Sequence, residues 1–200
     1  MHLKNLFNVI IRLFSMPISL FLYRIICYPY PYRTALMKLF SSSTVSKYYR
    51  PHYYSILYET VRLASSLNYE KISCIEFGVA GGNGLLALEK YANRLEKAFN
   101  IKIEIYGFDN GIGLPRSNDY RDLPFIWSSG DFAMDFDELK KKIKKSKLII
   151  GDVKETVGGF TGEYSPAPIG CIFFDLDYYT STIEAMKIFI QNSTDFLPRV

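Results

Sequence analysis

One segment restricts the fold of this chain more than any other. The run Ile72-Ser-Cys-Ile-Glu-Phe77 has the apolar, β-branched character of a strand, and Glu76-Phe-Gly-Val-Ala-Gly-Gly-Asn-Gly84 follows it as a glycine-rich turn. From Leu85 to Phe99 the apolar residues Leu85, Leu88, Leu95 and Phe99 recur at helical spacing with charges between them. Strand, glycine turn and helix in that order open a βα unit, and the alternation then repeats. Lys102–Phe108 reads as a strand, Phe136–Lys145 as a helix and Leu148–Ile150 as a strand. Gly158–Pro168 reads as a loop, Ile169–Phe174 as a wholly apolar strand and Thr182–Gln191 as a helix. Strands alternating with helices predict an α/β fold, a doubly wound, mostly parallel Rossmann-like sheet with right-handed crossovers. The run Asp195–Val200 stands where a fifth strand is expected to start, so the sheet reads as C-terminally truncated.

Upstream of this unit the pattern differs. Leu3, Phe7, Ile10, Ile11 and Phe14 form one apolar stripe, Pro17 divides the segment into two short amphipathic helices, and Tyr28-Pro-Tyr-Pro-Tyr32 marks a linker. Asn5, Asn8, Arg12, Pro17 and Arg24 interrupt the apolar run, which argues against a spanning helix, and no small-residue cleavage site follows it. Packing against the domain or a partner, a second copy of the chain included, is the first reading of residues 1–28, and membrane-surface contact the second. A further amphipathic helix is expected from Tyr53 to Leu67, with Ile56, Leu57, Val61 and Ala64 on one side. The division is therefore 1–48, N-terminal helices and linker, and 49–200, the α/β domain. Cys27, Cys74 and Cys171 are far apart and odd in number, which favours a reducing compartment, the cytoplasm, with peripheral membrane contact as the variant. The charge of +4 gathers in Lys140–Lys147, read as a solvated helix face, so no nucleic-acid partner is expected.

Acidic residues follow three successive strands: Glu76, Asp109 and Asp152. In a parallel sheet these positions share the carboxyl edge, where ligands bind. Gly78, Gly81 and Gly82 would let a ligand approach the main chain, and their spacing is not the G-x-G-x-x-G of dinucleotide sites. A carboxylate at Glu76 repels a pyrophosphate but suits the ammonium and sulfonium of S-adenosylmethionine (SAM). Asp109 is placed to accept from ribose hydroxyls, and Asp152 from an adenine amine. The plainer reading of each lone aspartate is helix capping or solvation.

At this point a resemblance becomes specific. Phe108-Asp-Asn-Gly-Ile-Gly-Leu-Pro115 resembles the F-D-x-F-x-G-L-P signature of the macrocin-type sugar O-methyltransferases, and Asp175-Leu-Asp-Tyr-Tyr-Thr-Ser-Thr182 resembles that family's D-x-D-x-Y-x-S-T. Gly111 stands where the family usually has Phe, and Ala80 where it often has Gly. The resemblance, from about residue 50 to 200, implies a class I SAM-dependent methyltransferase fold. It also implies SAM binding through Glu76, Gly78, Gly82 and Asp109, and a divalent metal at Asp175.

Asp175 and Asp177 lie two apart after the fourth strand, so in extended backbone both carboxylates point one way, a geometry suited to Mg²⁺. The alternative gives one of them to helix capping. The expected activity is metal-assisted methyl transfer from SAM to a sugar or glycoside hydroxyl, the acceptor being a small carbohydrate. No catalytic base is legible, because His2 and His52 lie outside every motif. Two other readings stay open: a non-catalytic SAM-fold scaffold and a nicotinamide-dependent Rossmann oxidoreductase.

Overall fold

The computed structural model describes residues 50–198. The expected helices and linker of residues 1–48 lie outside the described residues. Helix α1 (Pro51–Ser66) starts with Pro51 in its first turn, where a missing N–H costs nothing. Its buried face is Tyr53, Leu57, Thr60, Val61 and Ala64, while Ile56, expected on that face, is exposed. Strand β1 (Lys71–Phe77) leads through the glycine turn into α2 (Asn83–Phe99), and β2 (Lys102–Asp109) follows. After a long loop containing a 3₁₀ turn at Tyr120–Asp122 come α3 (Phe136–Lys142) and β3 (Lys147–Ile150). Two short helices, α4 (Val153–Thr156) and α5 (Phe160–Tyr164), lead to β4 (Ile169–Phe174) and α6 (Tyr179–Ala185), continued as a 3₁₀ turn over Met186–Ile190.

The four strands are parallel, in the order β3-β2-β1-β4. The chain winds outward from β1 to β3 and returns to the other side of β1 with β4. The β1/β4 boundary is therefore a topological switch point, the position at which open parallel sheets bind ligands beyond their carboxyl ends. Phe196, in the segment where a fifth strand was expected to begin, makes one isolated parallel bridge to Ile169, the first residue of β4.

Side-chain parity sends the strand residues into two cores. Ile72 and Cys74 of β1, Ile103 and Ile105 of β2, and Cys171 and Phe173 of β4 pack under α1 and α2. Ile75, Phe77, Tyr106 and Phe108 pack on the opposite face with Val157, Phe160, Ala185 and Ile188, and Ile169, of the same parity as Cys171 and Phe173, joins them because the β1/β4 register shifts between Ile169 and Cys171. Cys74 and Cys171 are buried and free. The segment expected as a loop, Gly158–Pro168, contains α5, because Phe160 is buried edge-on against Tyr106 and Phe108. Among the described residues no helix is long and apolar enough to cross a membrane.

Candidate active site

A cleft of about 620 Å³ opens at the carboxyl ends of the strands. Its wall includes Gly78 to Gly81 after β1, Asp109 and Asn110 after β2, Gly151 and Asp152 after β3, and Asp175 to Asp177 after β4. All four strands thus contribute at the edge where the acidic residues were expected.

The glycine turn is held from both sides. Asp109 accepts hydrogen bonds from the Val79 and Ala80 amides through one carboxylate oxygen, at 2.9 and 2.8 Å, and from the Gly111 amide through the other, at 2.7 Å. Its first role is therefore to lock the turn after β1 to the turn after β2. Three amides occupy most of a carboxylate's acceptor capacity of about four lone pairs. Gly78 has a φ of +86°, and a Cβ there would collide with the Asp175 carbonyl, so glycine is required on both counts. Gly82 faces the Leu139 side chain.

Glu76 is not on the cleft wall. Its position in β1 shares parity with Ile72 and Cys74, which directs it under α1, and it is 1% exposed. There Tyr53 donates its hydroxyl proton to Oε1 at 2.9 Å, and Oε2 is buried without a partner. The same hydroxyl lies 3.4 Å from Asp175 Oδ2. Burial raises the Glu76 carboxyl to a pKa of about 8, the Tyr53 hydrogen bond and the Arg50 charge lower it, and the Asp175 and Asp109 charges raise it. Burial thus favours the protonated form of Glu76, the opposite of the charged carboxylate expected from the sequence. The negative charge at this edge comes instead from Asp109, Asp152, Asp175 and Asp177, all on the wall.

Of the six residues expected to hold a cofactor, Gly78, Gly81, Asp109 and Asp152 line the cleft, and Glu76 and Gly82 stand behind it. Asp152 also caps α4, accepting from the Lys154 amide at 2.9 Å. Asp175 and Asp177 both line the cleft, and burial followed by the Asp175 charge raises the Asp177 pKa. Among the described residues no group of three or more His, Cys, Asp or Glu is disposed to hold a metal. His52 packs its ring edge-on against Tyr53 at 4.7 Å and is exposed.

Two residues that matter were missed. Tyr53 joins α1 to the site. Asp122, fully buried, accepts from the Ser117 hydroxyl at 2.5 Å and from the Thr180 amide and hydroxyl at 2.9 and 2.7 Å. The Tyr178 hydroxyl donates to the Pro115 carbonyl at 3.1 Å. Together these bonds tie the Phe108–Pro115 motif to the Asp175–Thr182 motif, far apart in sequence. The aromatic residues Tyr120 and Phe125 are exposed beside this junction, whereas Ile112 and Phe132 are on the cleft wall.

Comparison with solved structures matches this architecture. The crystal structure of CalS11, a calicheamicin methyltransferase, superposes with a TM-score of 0.52 at 23% identity, over 80% of this chain and 74% of that one. The chain has the fold of that methyltransferase. The apo structure of CalS11, a TDP-rhamnose 3′-O-methyltransferase, aligns over the same shares at 21% identity with a TM-score of 0.41. No family model matches the sequence, and no curated protein does.

Proposed function

We propose that this protein is a SAM-dependent O-methyltransferase acting on a hydroxyl of a sugar or glycoside. The observation that carries the reading is the convergence of the glycine turn and four aspartates on one cleft at the switch point of a methyltransferase fold. A donor bearing an ammonium and a sulfonium suits such a wall better than a pyrophosphate does. The sugar acceptor rests on the two motifs that resemble the macrocin-type enzymes, which the structure joins through Tyr178 and Asp122. In this reading Gly78 and Gly81 admit the donor to the main chain, Asp109 fixes the turn and offers its remaining lone pair to a ribose hydroxyl, and Asp152 faces the adenine.

Bound SAM supplies an electrophilic methyl group, and the chain's task is to hold an acceptor oxygen in line with it, near 3–3.5 Å. Asp175 and Asp177 are the proposed ligands of a divalent cation. A donor set of two carboxylates fits Mg²⁺, which takes one or two and keeps several waters. Such an ion would lower the pKa of a chelated sugar hydroxyl.

Calorimetric titration with SAM and with NAD tests the donor. Saturable SAM binding without NAD binding is expected, and NAD binding without SAM binding would refute the reading in favour of an oxidoreductase. Asp175→Ala is expected to abolish the stimulation of methyl transfer by Mg²⁺ while leaving SAM affinity within a few-fold. An equal response to Mg²⁺ in variant and parent removes the metal from the proposal.

A further inference from the structure

The aspartates of the cleft wall are fixed in different ways. Asp109 collects three amides and Asp152 one. Asp175 has its backbone pinned, with its amide donating to the Phe77 carbonyl at 2.8 Å and its own carbonyl packed against Gly78. Its carboxylate meets one protein donor among the described residues, the Tyr53 hydroxyl, 3.4 Å from Oδ2. That contact is long for an O–H···O bond, as befits a proton shared between two acceptors, the nearer being Glu76 Oε1 at 2.9 Å. The hydroxyl is locked in this place. Tyr53 is 4% exposed, its ring stacks on Phe173 of β4 at 4.1 Å, and α2 comes so near that a Cβ added at Gly84 would collide with Glu76 Oε1 and lie 3.1 Å from the ring. A buried tyrosine of α1 thus reaches the one wall carboxylate that no amide holds.

We infer that Tyr53 is a positioning residue: its hydroxyl, anchored by Glu76, holds the Asp175 carboxylate in the orientation that takes a divalent cation. The inference rests on the cation reading of Asp175 above and deepens it. A carboxylate with one oxygen held in this way keeps its other oxygen and remaining lone pairs for the ion. A ligand already oriented by a neighbouring hydrogen bond loses less freedom when the ion arrives, which is why such neighbours raise metal affinity. Glu76 then acts from within the core, as the fixed acceptor that keeps the tyrosine hydroxyl between the two acids, and needs no contact with a ligand.

Parent, Tyr53→Phe and Glu76→Gln are titrated with Mn²⁺, read by its electron paramagnetic resonance, and with S-adenosylhomocysteine by calorimetry. Mn²⁺ accepts the same oxygen ligands as Mg²⁺ and serves as the probe. Tyr53→Phe keeps the ring on Phe173 and removes only the hydroxyl. It should weaken Mn²⁺ by roughly 5–10-fold, the worth of one modest hydrogen bond, and leave S-adenosylhomocysteine within about two-fold. Glu76→Gln keeps a hydrogen-bonding group beside the hydroxyl, so Mn²⁺ affinity should stay within about two-fold of the parent. Unchanged Mn²⁺ affinity in Tyr53→Phe would overturn the inference. So would equal weakening of Mn²⁺ and S-adenosylhomocysteine, which makes Tyr53 a structural residue of the whole cleft. A loss of Mn²⁺ in Glu76→Gln as large as that expected of Tyr53→Phe would overturn it as well, and this arm decides should Tyr53→Phe fail to fold. If the parent binds S-adenosylhomocysteine and no Mn²⁺, the cation reading fails and this inference with it, while the SAM reading stands.

Discussion

Ala80 holds a φ of +45°, in the left-handed region that a Cβ disfavours. It stays there because its amide is one of three that Asp109 collects. Ala80→Gly should therefore stabilise the free protein by about 1 kcal/mol, seen as a rise in the midpoint of thermal unfolding. An unchanged or lower midpoint would show the turn to be unstrained. Asp109→Asn places an amide group against backbone donors, so it should lower that midpoint in the absence of ligand as well as weaken SAM by roughly 10–100-fold. Weaker SAM binding at an unchanged midpoint would instead mean that Asp109 serves the ligand alone. Glu76 gives a pH dependence. Its folded pKa of about 8 lies above the ordinary carboxyl value of 4.5, so the folded state holds the proton more tightly than the unfolded chain. Its contribution to stability is complete below pH 4.5 and falls as pH rises toward about 8, levelling above it. Glu76→Gln should flatten that slope in denaturant titrations run from pH 5 to 8.5, and an unaltered slope would assign it to other groups.

At the scale of elements, Glu89 of α2 has the largest structural consequence. Nearly buried, it accepts from the amides of Lys144, Lys145 and Ser146 and from the Ser146 hydroxyl, at 2.8–3.1 Å. Those amides would otherwise continue a helix. Helical periodicity and lysine composition predict α3 through Lys145, and Glu89 is the reason it stops at Lys142 and β3 can begin. Glu89→Gln should cost about 2 kcal/mol, a fall of roughly 4–8 °C in unfolding midpoint for a domain of this size. A change under about 1 °C would show the turn to be self-sufficient. The case shows where the sequence is legible. Each strand announced itself by an apolar run, and α2 by the period of Leu85, Leu88 and Leu95, because those signals are local. Nothing local marks Glu89 or Asp122, since the backbone amides that donate to them lie more than fifty residues away. Glu76 was legible as a site-edge residue but not in its direction: one step of strand parity turned it from the cleft toward Tyr53, a residue read only as part of an amphipathic helix.

For the molecule as a whole, the sheet brings together turns that are individually unremarkable, and the long loop after β2 closes one side of the resulting cleft. That loop carries Trp127, the single tryptophan of the chain. Trp127 packs edge-on against Phe132 at 5.6 Å, and Phe132 lines the cleft. The loop is anchored at its other end through Asp122 to Thr180, so a ligand seated between the strand ends and Phe132 must displace or rigidify a fastened segment. Intrinsic emission therefore reports on one place, next to the site. Saturating SAM should shift or quench it, with a midpoint equal to the calorimetric dissociation constant, and Phe132→Ala should abolish most of the change while leaving the emission itself. If SAM binds by calorimetry and the Trp127 signal stays flat, the donor occupies the strand ends without reaching the loop, and Phe132 belongs to the acceptor. A sugar acceptor added to the SAM-loaded protein would then be the ligand that moves the signal.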